Sequence, residues 1–527
     1  MKKRTIAILI SLALTAGFPL SEIAPEASAA EELPLEHYKW TDMAKRYPMP
    51  YFASPEVPDA PAPEVLARWW DFLGDPTLTE LILTSLENNR DIRSARSRFA
   101  EARAALGISK SAILPWIDGS GSFTNLKNGE NASLSGQQVG PVDLYKLGID
   151  ASWEIDFSGA QALKIKASAA DLQAQYGALH SAWVSLSSEV ALNYLSLRTL
   201  QKRLLVAEKN LSLQLETVEL LQSRYDSGLA DELDLSQAKY TMEQTNSTIP
   251  PIKTGIEEAL NRLAILVGGV PGSLAKDLFE FRPLPNPKKI NLVGIPADYL
   301  RQRPDIFMAE RQLAAQMARK DAAKKDFIPK LTLFGSIGLE SYGSASGLSI
   351  SDGGVYSIGP QISWPIFHGG AIRKNIEVQT EKQEQALATY EQTVLDAVGE
   401  VRNALTAETQ ERERNQSLQR GVTAATTAME VAEDQYKHGL KDFNNVIIAQ
   451  SALLNLEEQL ALSDGQMLSN LIQIFKSLGG GWAPMEEYAP LQARILKKEE
   501  FPKGGIELSD ESQAYLESLR EELKASE

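Results

Sequence analysis

Tyr145-Lys-Leu-Gly148-Ile-Asp-Ala-Ser152-Trp153 is followed, 211 residues later, by Tyr356-Ser-Ile-Gly359-Pro-Gln-Ile-Ser363-Trp364. Both stretches alternate apolar with small or polar residues. That period of two marks a strand with one apolar face. The spacing recurs elsewhere. Tyr225-Asp-Ser-Gly228-Leu229 matches Tyr436-Lys-His-Gly439-Leu440. Asn89-Arg90-Asp91-Ile92 matches Arg303-Pro304-Asp305-Ile306, and Pro115 matches Pro329, all at offsets of 211 to 214. Chance gives one such match readily, but not four in the same order. The chain is a tandem duplication of a unit of about two hundred residues.

Each unit reads as helix, two strands, very long helix, helix. The first is expected as a helix near 77–114, strands near 116–126 and 145–157, and helices near 160–227 and 232–267. The second is expected as 297–328, 330–340, 355–367, 371–438 and 443–478. Gly228 and Gly439 stand where a helix stops and turns. The organisation is then a signal peptide at 1–30, a proline-rich segment at 31–76, repeats at 77–268 and 297–482, a proline-rich linker at 269–296, and a charged tail at 483–527 with helical pattern near 509–524. The fold class is mainly α with a small β part.

A helix over 160–227 is roughly 100 Å long, more than a globular core can bury. Its apolar pattern says how it is covered. Tyr176, Trp183, Val190, Leu197, Leu204, Leu211, Val218 and Tyr225 keep a strict seven-residue spacing, and Leu172, Leu179, Leu186, Leu200 and Leu221 fill much of a companion seam. Such a heptad implies supercoiling against partner helices. In the second long helix Leu387, Val394, Val401, Val422, Met429 and Tyr436 hold the seam, and Glu408 and Asn415 interrupt it. In each unit the two shorter helices add to the length of the long one, so stacked end to end they can run beside it.

The strands carry one apolar face. Tyr145, Leu147, Ile149, Ala151, Trp153, Ile155 and Phe157 oppose Lys146, Gly148, Asp150, Ser152, Glu154 and Asp156. Leu331, Leu333, Ile337 and Leu339 oppose Thr332, Ser336 and Glu340, whereas the first strand is weak, with only Ile117 and Phe123 large and apolar. A soluble sheet on a core would alternate in this way; so would strands of about ten residues in a membrane barrel. Export favours the barrel. Lys2, Lys3 and Arg4 precede an apolar run from Ile6 to Ala16, and small residues at 27–30 offer cleavage after Ala29 or Ala30. No later apolar run reaches the roughly 20 residues that a spanning helix needs.

Composition excludes several classes. With no cysteine there is no disulfide framework, thiolate metal site, cysteine nucleophile or lipidated cysteine. A formal charge of -16 argues against a nucleic-acid partner. His37, His180, His368 and His438 are too scattered to suggest a metal cluster. We find no phosphate loop, nucleophile elbow or histidine–carboxylate cluster, so neither an enzyme nor a cofactor is expected. Gly479-Gly480-Gly481 reads as a helix terminator, and the serine-glycine stretch 341–354 as an exposed loop.

Four strands cannot close a barrel, and open edges in lipid leave backbone groups unpaired. Strands that span a membrane here therefore require several copies of the chain. At this point the sequence resembles the TolC-type outer-membrane efflux proteins, especially the branch whose members are often lipoproteins. The matching segments are Trp69-Trp70 with Phe72, Asp75 and Leu78; Leu233 to Ala238; Ala297 to Ile306; Ser363 to Phe367 with Gly370; Tyr390 with Val394, Ala397, Glu400 and Val401; and Leu478 to Trp482. The resemblance implies a homotrimer that forms a 12-stranded outer-membrane β-barrel with a long coiled α-helical periplasmic tunnel. It implies an efflux conduit with outer-membrane lipid around the barrel, and partners in a periplasmic membrane-fusion adaptor and an inner-membrane pump. The missing lipidated cysteine leaves anchoring to the barrel. The competing class is an exported coiled-coil adaptor or scaffold without a pore, which would carry one helical hairpin between small β-domains.

Two sets of site residues follow. Tyr145 and Trp153, like Tyr356 and Trp364, are eight residues apart on one face. That is about 26 Å along a strand, or roughly 20 Å of height at barrel tilt. They are expected as lipid-facing aromatic belts, with the tryptophans near the periplasmic boundary and loops 127–144 and 341–354 outside the cell. The resemblance places the long-helix turns at the closed, adaptor-contacting end of the tunnel. One turn carries Asp226, Gly228, Asp231 and Asp234; the other carries Lys437, Gly439, Lys441 and Asp442. Lys441 or Lys437 is expected to pair with acids of the neighbouring tip, and Asp442, with Asp231, to line the constriction.

Overall fold

Each strand of one antiparallel sheet runs into a helix, and the helices keep the order of the strands. The computed structural model describes residues 66–127, 141–287, 300 and 302–482. The expected signal peptide, most of the proline-rich segment 31–76, most of loop 127–144, the end of the linker and the charged tail lie outside the described residues. Helices α1 (Pro76–Asn88) and α2 (Arg90–Ser111) lead into β1 (Trp116–Leu126); β2 (Val142–Ile155) leads into α3 (Ala160–Asp226), which turns into α4 (Glu232–Leu266). After the short α5 (Ala275–Leu278) come α6 (Pro304–Lys325), β3 (Lys330–Tyr342), β4 (Gly354–Ser363), α7 (Ala371–Lys437) and α8 (Asn444–Ser477). Within these segments no helix is long and apolar enough to cross a membrane.

The helices form a layer that extends the sheet. α3 packs on α2, α4, α6 and α8, and α7 packs on α6 and α8. Near the sheet, Ser109 and Ser168 join α2 to α3 at 2.7 Å, and Arg319 pairs with Asp171 across α6 and α3. Farther out, Lys202 meets Asp464 of α8 at 2.5 Å and Lys253 of α4 meets Glu208 at 3.5 Å. The heptad positions Trp183, Val190 and Leu197 are buried in the middle of α3, while Tyr225 near its end is 39% exposed. Of the two polar interruptions of the second seam, one links two helices and the other pairs within its own. Asn415 is buried and its amide donates to Ser463 Oγ at 3.2 Å and Asp464 Oδ1 at 2.7 Å on α8. Glu408 accepts from Arg412 one turn on.

The structure corrects several boundaries. The helix expected over 77–114 is two helices broken at Asn89. The Asn89 backbone is extended (ψ 137°), and its side-chain oxygen accepts from the N–H groups of Asp91 (2.8 Å) and Ile92 (3.2 Å), so it caps α2 and ends α1. Helix α6 starts at Pro304, whose fixed φ suits a first helical position, after an extended Arg303; the expected start at 297 lies outside the described residues. Strand β4 stops at Ser363, before Trp364 and Ile366, because Ser363 already pairs with Lys330, the first residue of β3. β2 begins at Val142 and ends at Ile155, short of Phe157.

Asn89 does a second job, and its repeat counterpart Arg303 does the same. The Asn89 amide donates to the carbonyl of Leu266 at 3.0 Å, the last residue of α4. Arg303 donates to the carbonyl of Ser477 at 2.8 Å, the last residue of α8. Each contact places the start of one short helix on the end of another, so α4–α2 and α8–α6 are the end-to-end stacks that flank the long helices. Arg303 is also bidentate to Asp305 (3.0 and 2.6 Å) and reaches Glu400 of α7 at 2.8 Å. This explains why arginine, proline, aspartate and a distant glutamate occur together.

The main core sits at this junction. A 3-10 turn, Trp69–Leu73, places Trp69 on Phe475 with ring centroids 5.6 Å apart. The three glycines expected to end a helix also make room for it. A Cβ on Gly480 would lie 2.9 Å from the Phe475 carbonyl and 3.0 Å from the Trp69 ring. His180 packs among Tyr176, Trp183 and Trp482; burial lowers its pKa to about 3 and keeps it a neutral member of that aromatic group.

Arg303→Ala strands a buried carbonyl and two carboxylates, and should cost about 2–4 kcal/mol. Arg303→Lys keeps the charge without the fork and should recover part of it. The denaturant midpoint for loss of helical circular dichroism measures both. An alanine variant within about 0.5 kcal/mol of the parent would remove the junction role.

Candidate functional site

The register makes one apolar face out of four strands. Directly opposed residues share a face. Phe123, Tyr145 and Ser341 form one row; Ile149, Ile337 and Tyr356 another; Trp153, Leu333 and Pro360 a third. This face is open. Tyr356 is 83% exposed, Ile358 74% and Ile149 53%. A large apolar surface of this kind is unstable in water and signals lipid or a partner. The opposite face is polar. Lys146 meets Glu340 at 3.2 Å, Lys330 meets Glu154 at 4.0 Å, and Ser120 donates to Asp150 at 2.7 Å. Trp116, Phe334 and Val355 depart from the pattern and lie on this polar side.

Both edges of the sheet, β1 and β4, are open. The four expected belt residues lie on the apolar face or its continuation: Tyr145 and Trp153 in β2, Tyr356 in β4, and Trp364 one residue past β4. The rings of Phe123 and Tyr145 are 5.0 Å apart. The two tryptophans are fixed alike. The Trp153 indole N–H donates to the carbonyl of Ile113 at 2.9 Å, and the Trp364 indole N–H to that of Phe327 at 3.2 Å. Each indole spans the corner where a helix becomes a strand. Sequence spacing put these residues at the helix end of the sheet, but the hydrogen bonds needed the fold.

The far ends of α3 and α7 are built alike. At Gly228 (φ 73°) the N–H of Leu229 donates to Arg224 O at 2.8 Å, and at Gly439 (φ 69°) the N–H of Leu440 donates to Gln435 O at 2.8 Å. Both glycines take the left-handed conformation of a helix terminator. These closures leave Leu229 and Leu440 at the apex, 76% and 71% exposed. Behind them, Leu221, Leu235, Met429, Phe443 and Val446 form one apolar cluster that joins the two tips. The Arg224 guanidinium lies 5.1 Å from the centre of the Tyr436 ring, a second tie between them. Spacing singled out the glycines and missed the exposed leucines beside them.

The charged tip residues divide in two. Asp226 accepts from Gln222 at 3.0 Å, and Asp231 caps α4 by accepting from the N–H of Leu233. Within the chain, Lys437 does not pair with the other tip; it meets Glu433 one turn back on α7 at 3.5 Å. His438 sits 3.4 Å from Asp434 in the same way. Three acids do come together: burial raises the pKa of Asp234, and the charges of Asp231 and of Asp442, from the other repeat, raise it further. Among the described residues no group of three or more histidines and carboxylates is arranged to hold a metal ion.

Comparison with known proteins supplies the context. The model of the outer membrane efflux protein family matches residues 81–269 and 295–480. Nodulation protein T of Rhizobium leguminosarum bv. trifolii is 28% identical, over 83% of this chain and 94% of that protein. The toluene efflux pump outer membrane protein TtgF of Pseudomonas putida is 30% identical, over 79% of this chain and 85% of its own length. The solved structure of the outer-membrane channel OprN has a TM-score of 0.75 and 32% identity, covering 82% of this chain and 99% of that one.

Two outcomes are expected. Lipids brominated in the acyl chain should quench part of the fluorescence of the reconstituted protein, and the double variant Trp153→Phe/Trp364→Phe should lose that part; undiminished quenching in the variant would refute the belt. The second outcome concerns pH. A raised pKa means that the folded tip binds a proton more tightly than the unfolded chain does. Its stabilising share is full below the ordinary aspartate value of 3.8 and is lost as pH climbs through the raised value. Hydrogen-exchange protection at 226–234, corrected for intrinsic rates, should therefore rise on acidification toward the carboxylate range. Asp234→Asn should abolish the trend.

Proposed function

Since this chain belongs to the outer membrane efflux protein family, we propose that it is the outer-membrane end of a tripartite efflux system, a passive conduit that receives solutes from an inner-membrane pump through a periplasmic adaptor. The observation that carries this reading is the open four-stranded sheet, apolar on one face and polar on the other, that continues strand by strand into a helical layer. Three copies would close twelve strands, turn the apolar face to lipid and the polar face to a lumen, and join the helical layers into a tunnel.

The names of similar proteins support the pump connection, since TtgF is described as part of a toluene efflux pump. The duplicated hairpins do not fit an adaptor with a single hairpin. Transport through such a conduit requires no bond to be made or broken, and we assign no catalytic residue or cofactor. Six helix turns would surround the entrance, with Gly228 and Gly439 at the adaptor-contacting apices and Leu229 and Leu440 exposed beside them. The acids Asp226, Asp231, Asp234 and Asp442 and the bases Lys437 and Lys441 then form a charged ring. Among the described residues Lys441 has no ion pair within its own chain, so it is the base free to reach an acid of the next copy.

The detergent-solubilised protein should have the mass of three chains; a monomer would refute the conduit. In planar bilayers, reversing the charge of Lys437 and Lys441 together should raise the open probability, and Asp442→Ala should reduce block by calcium. Unchanged traces in both variants would dismiss the charged gate and leave the conduit standing.

A further inference from the structure

Basic residues collect where the helices meet the sheet. The stretches 104–115, 156–167, 318–329 and 364–375, each twelve residues next to a strand end, together hold nine lysines and arginines against three aspartates and no glutamate. The whole chain has a formal charge of -16. The opposite end of the sheet shows no such excess: the turn 343–353 carries Asp352 and no base.

Helix dipoles account for only part of this. Lys110 and Lys324 lie in the last turns of α2 and α6, where a cation is favoured. Lys164 and Lys166, and Arg373 and Lys374, lie near the starts of α3 and α7, where the dipole disfavours a cation, and neither helix has an acid in its first turn. At the start of α3 the Asp156 carboxylate accepts from the N–H of Ala162 at 2.8 Å, yet bases at both kinds of terminus leave an excess of positive charge that an anion outside the chain would offset. Some of these bases have partners within the chain. Arg319 pairs with Asp171 and Lys320 donates to Gln383, but Lys324 with Asp321 at 2.8 Å and Lys374 with Glu377 at 2.7 Å are pairs in which all four side chains are more than half exposed. Such pairs compete weakly with another anion.

Position identifies that anion. Lys110 precedes Ile113 by three residues, and Lys324 precedes Phe327 by three. Ile113 and Phe327 are the residues whose carbonyls hold the Trp153 and Trp364 indoles. Both lysines therefore stand one helical turn below an interfacial tryptophan, at equivalent places in the two repeats. Both are exposed. Resting on the membrane placement of the sheet, we propose that Lys110 and Lys324, with the bases opening α3 and α7, form a cationic collar that binds the phosphates of anionic phospholipid on the periplasmic side of the membrane. Three copies side by side would carry the collar around the barrel as a closed girdle. The collar adds a second hold on the membrane beside the barrel.

The test uses the full-length protein in vesicles and reads tryptophan quenching by brominated phosphatidylglycerol against brominated phosphatidylcholine. At low salt the anionic lipid should be preferred at least about fivefold, the ratio that corresponds to about 1 kcal/mol from a single base near a charged surface. The preference should shrink in high salt and in Lys110→Gln/Lys324→Gln, and persist in Lys110→Arg/Lys324→Arg, which reports on folding. Equal quenching by the two lipids in the parent, or an unaltered ratio in the glutamine variant, overturns the collar. Quenching by neither lipid overturns the membrane placement beneath it.

Discussion

An unpaired strand edge cannot sit in hydrocarbon, because each exposed N–H and C=O costs several kcal/mol there. The sheet has two such edges. Its apolar face is exposed as well, so a single copy is at odds with water and with lipid alike. Both problems have one solution, side-by-side association of copies until the sheet closes. The helices obey the same logic. They leave the sheet in strand order and form a layer, so the geometry that closes the strands also closes the tunnel.

The layer is held at a few defined places. Leucine and valine seams cover the middle of α3, but they do not specify where a helix begins or how two stacked helices meet. Polar residues do that. Asn89 and Arg303 fix the stacks by gripping the terminal carbonyls of α4 and α8, and Asn415 links α7 to α8 through Asp464, which also meets Lys202 on α3. A hydrophobic seam tolerates slippage by a heptad, whereas a buried hydrogen bond does not.

Much of this was legible in the chain. Period and offset exposed the duplication, the length of the long helices and the two faces of the strands, because each depends on spacing alone. The break at Asn89 was not read, since an asparagine within a helical pattern offers a cap without obliging one; here its oxygen caps α2 and its amide is also held by the Leu266 carbonyl. Glu408 and Asn415 looked like flaws in a heptad, and only the partner helix showed the buried link at Asn415. The partner of Lys437 could have been read, because Glu433 stands four residues earlier on the same helix. The indole–carbonyl bonds at the belt lay beyond reach, because the groups they join are about 40 residues apart.

The two repeats have nearly the same backbone at their tips but different charge, acidic at Gly228 and of mixed sign at Gly439. Around a threefold axis that similarity of shape gives six nearly equivalent positions, and a partner guided by shape alone could dock in two orientations 60° apart. Alternating charge makes the two unequal. The sign pattern repeats only every 120°, and because acids outnumber bases around the ring its field stays negative at a distance. The tip would thus attract a basic surface from afar and be selective at contact. A visiting protein is drawn in by the net charge, then finds that only one of two otherwise similar rotational settings matches charge with charge.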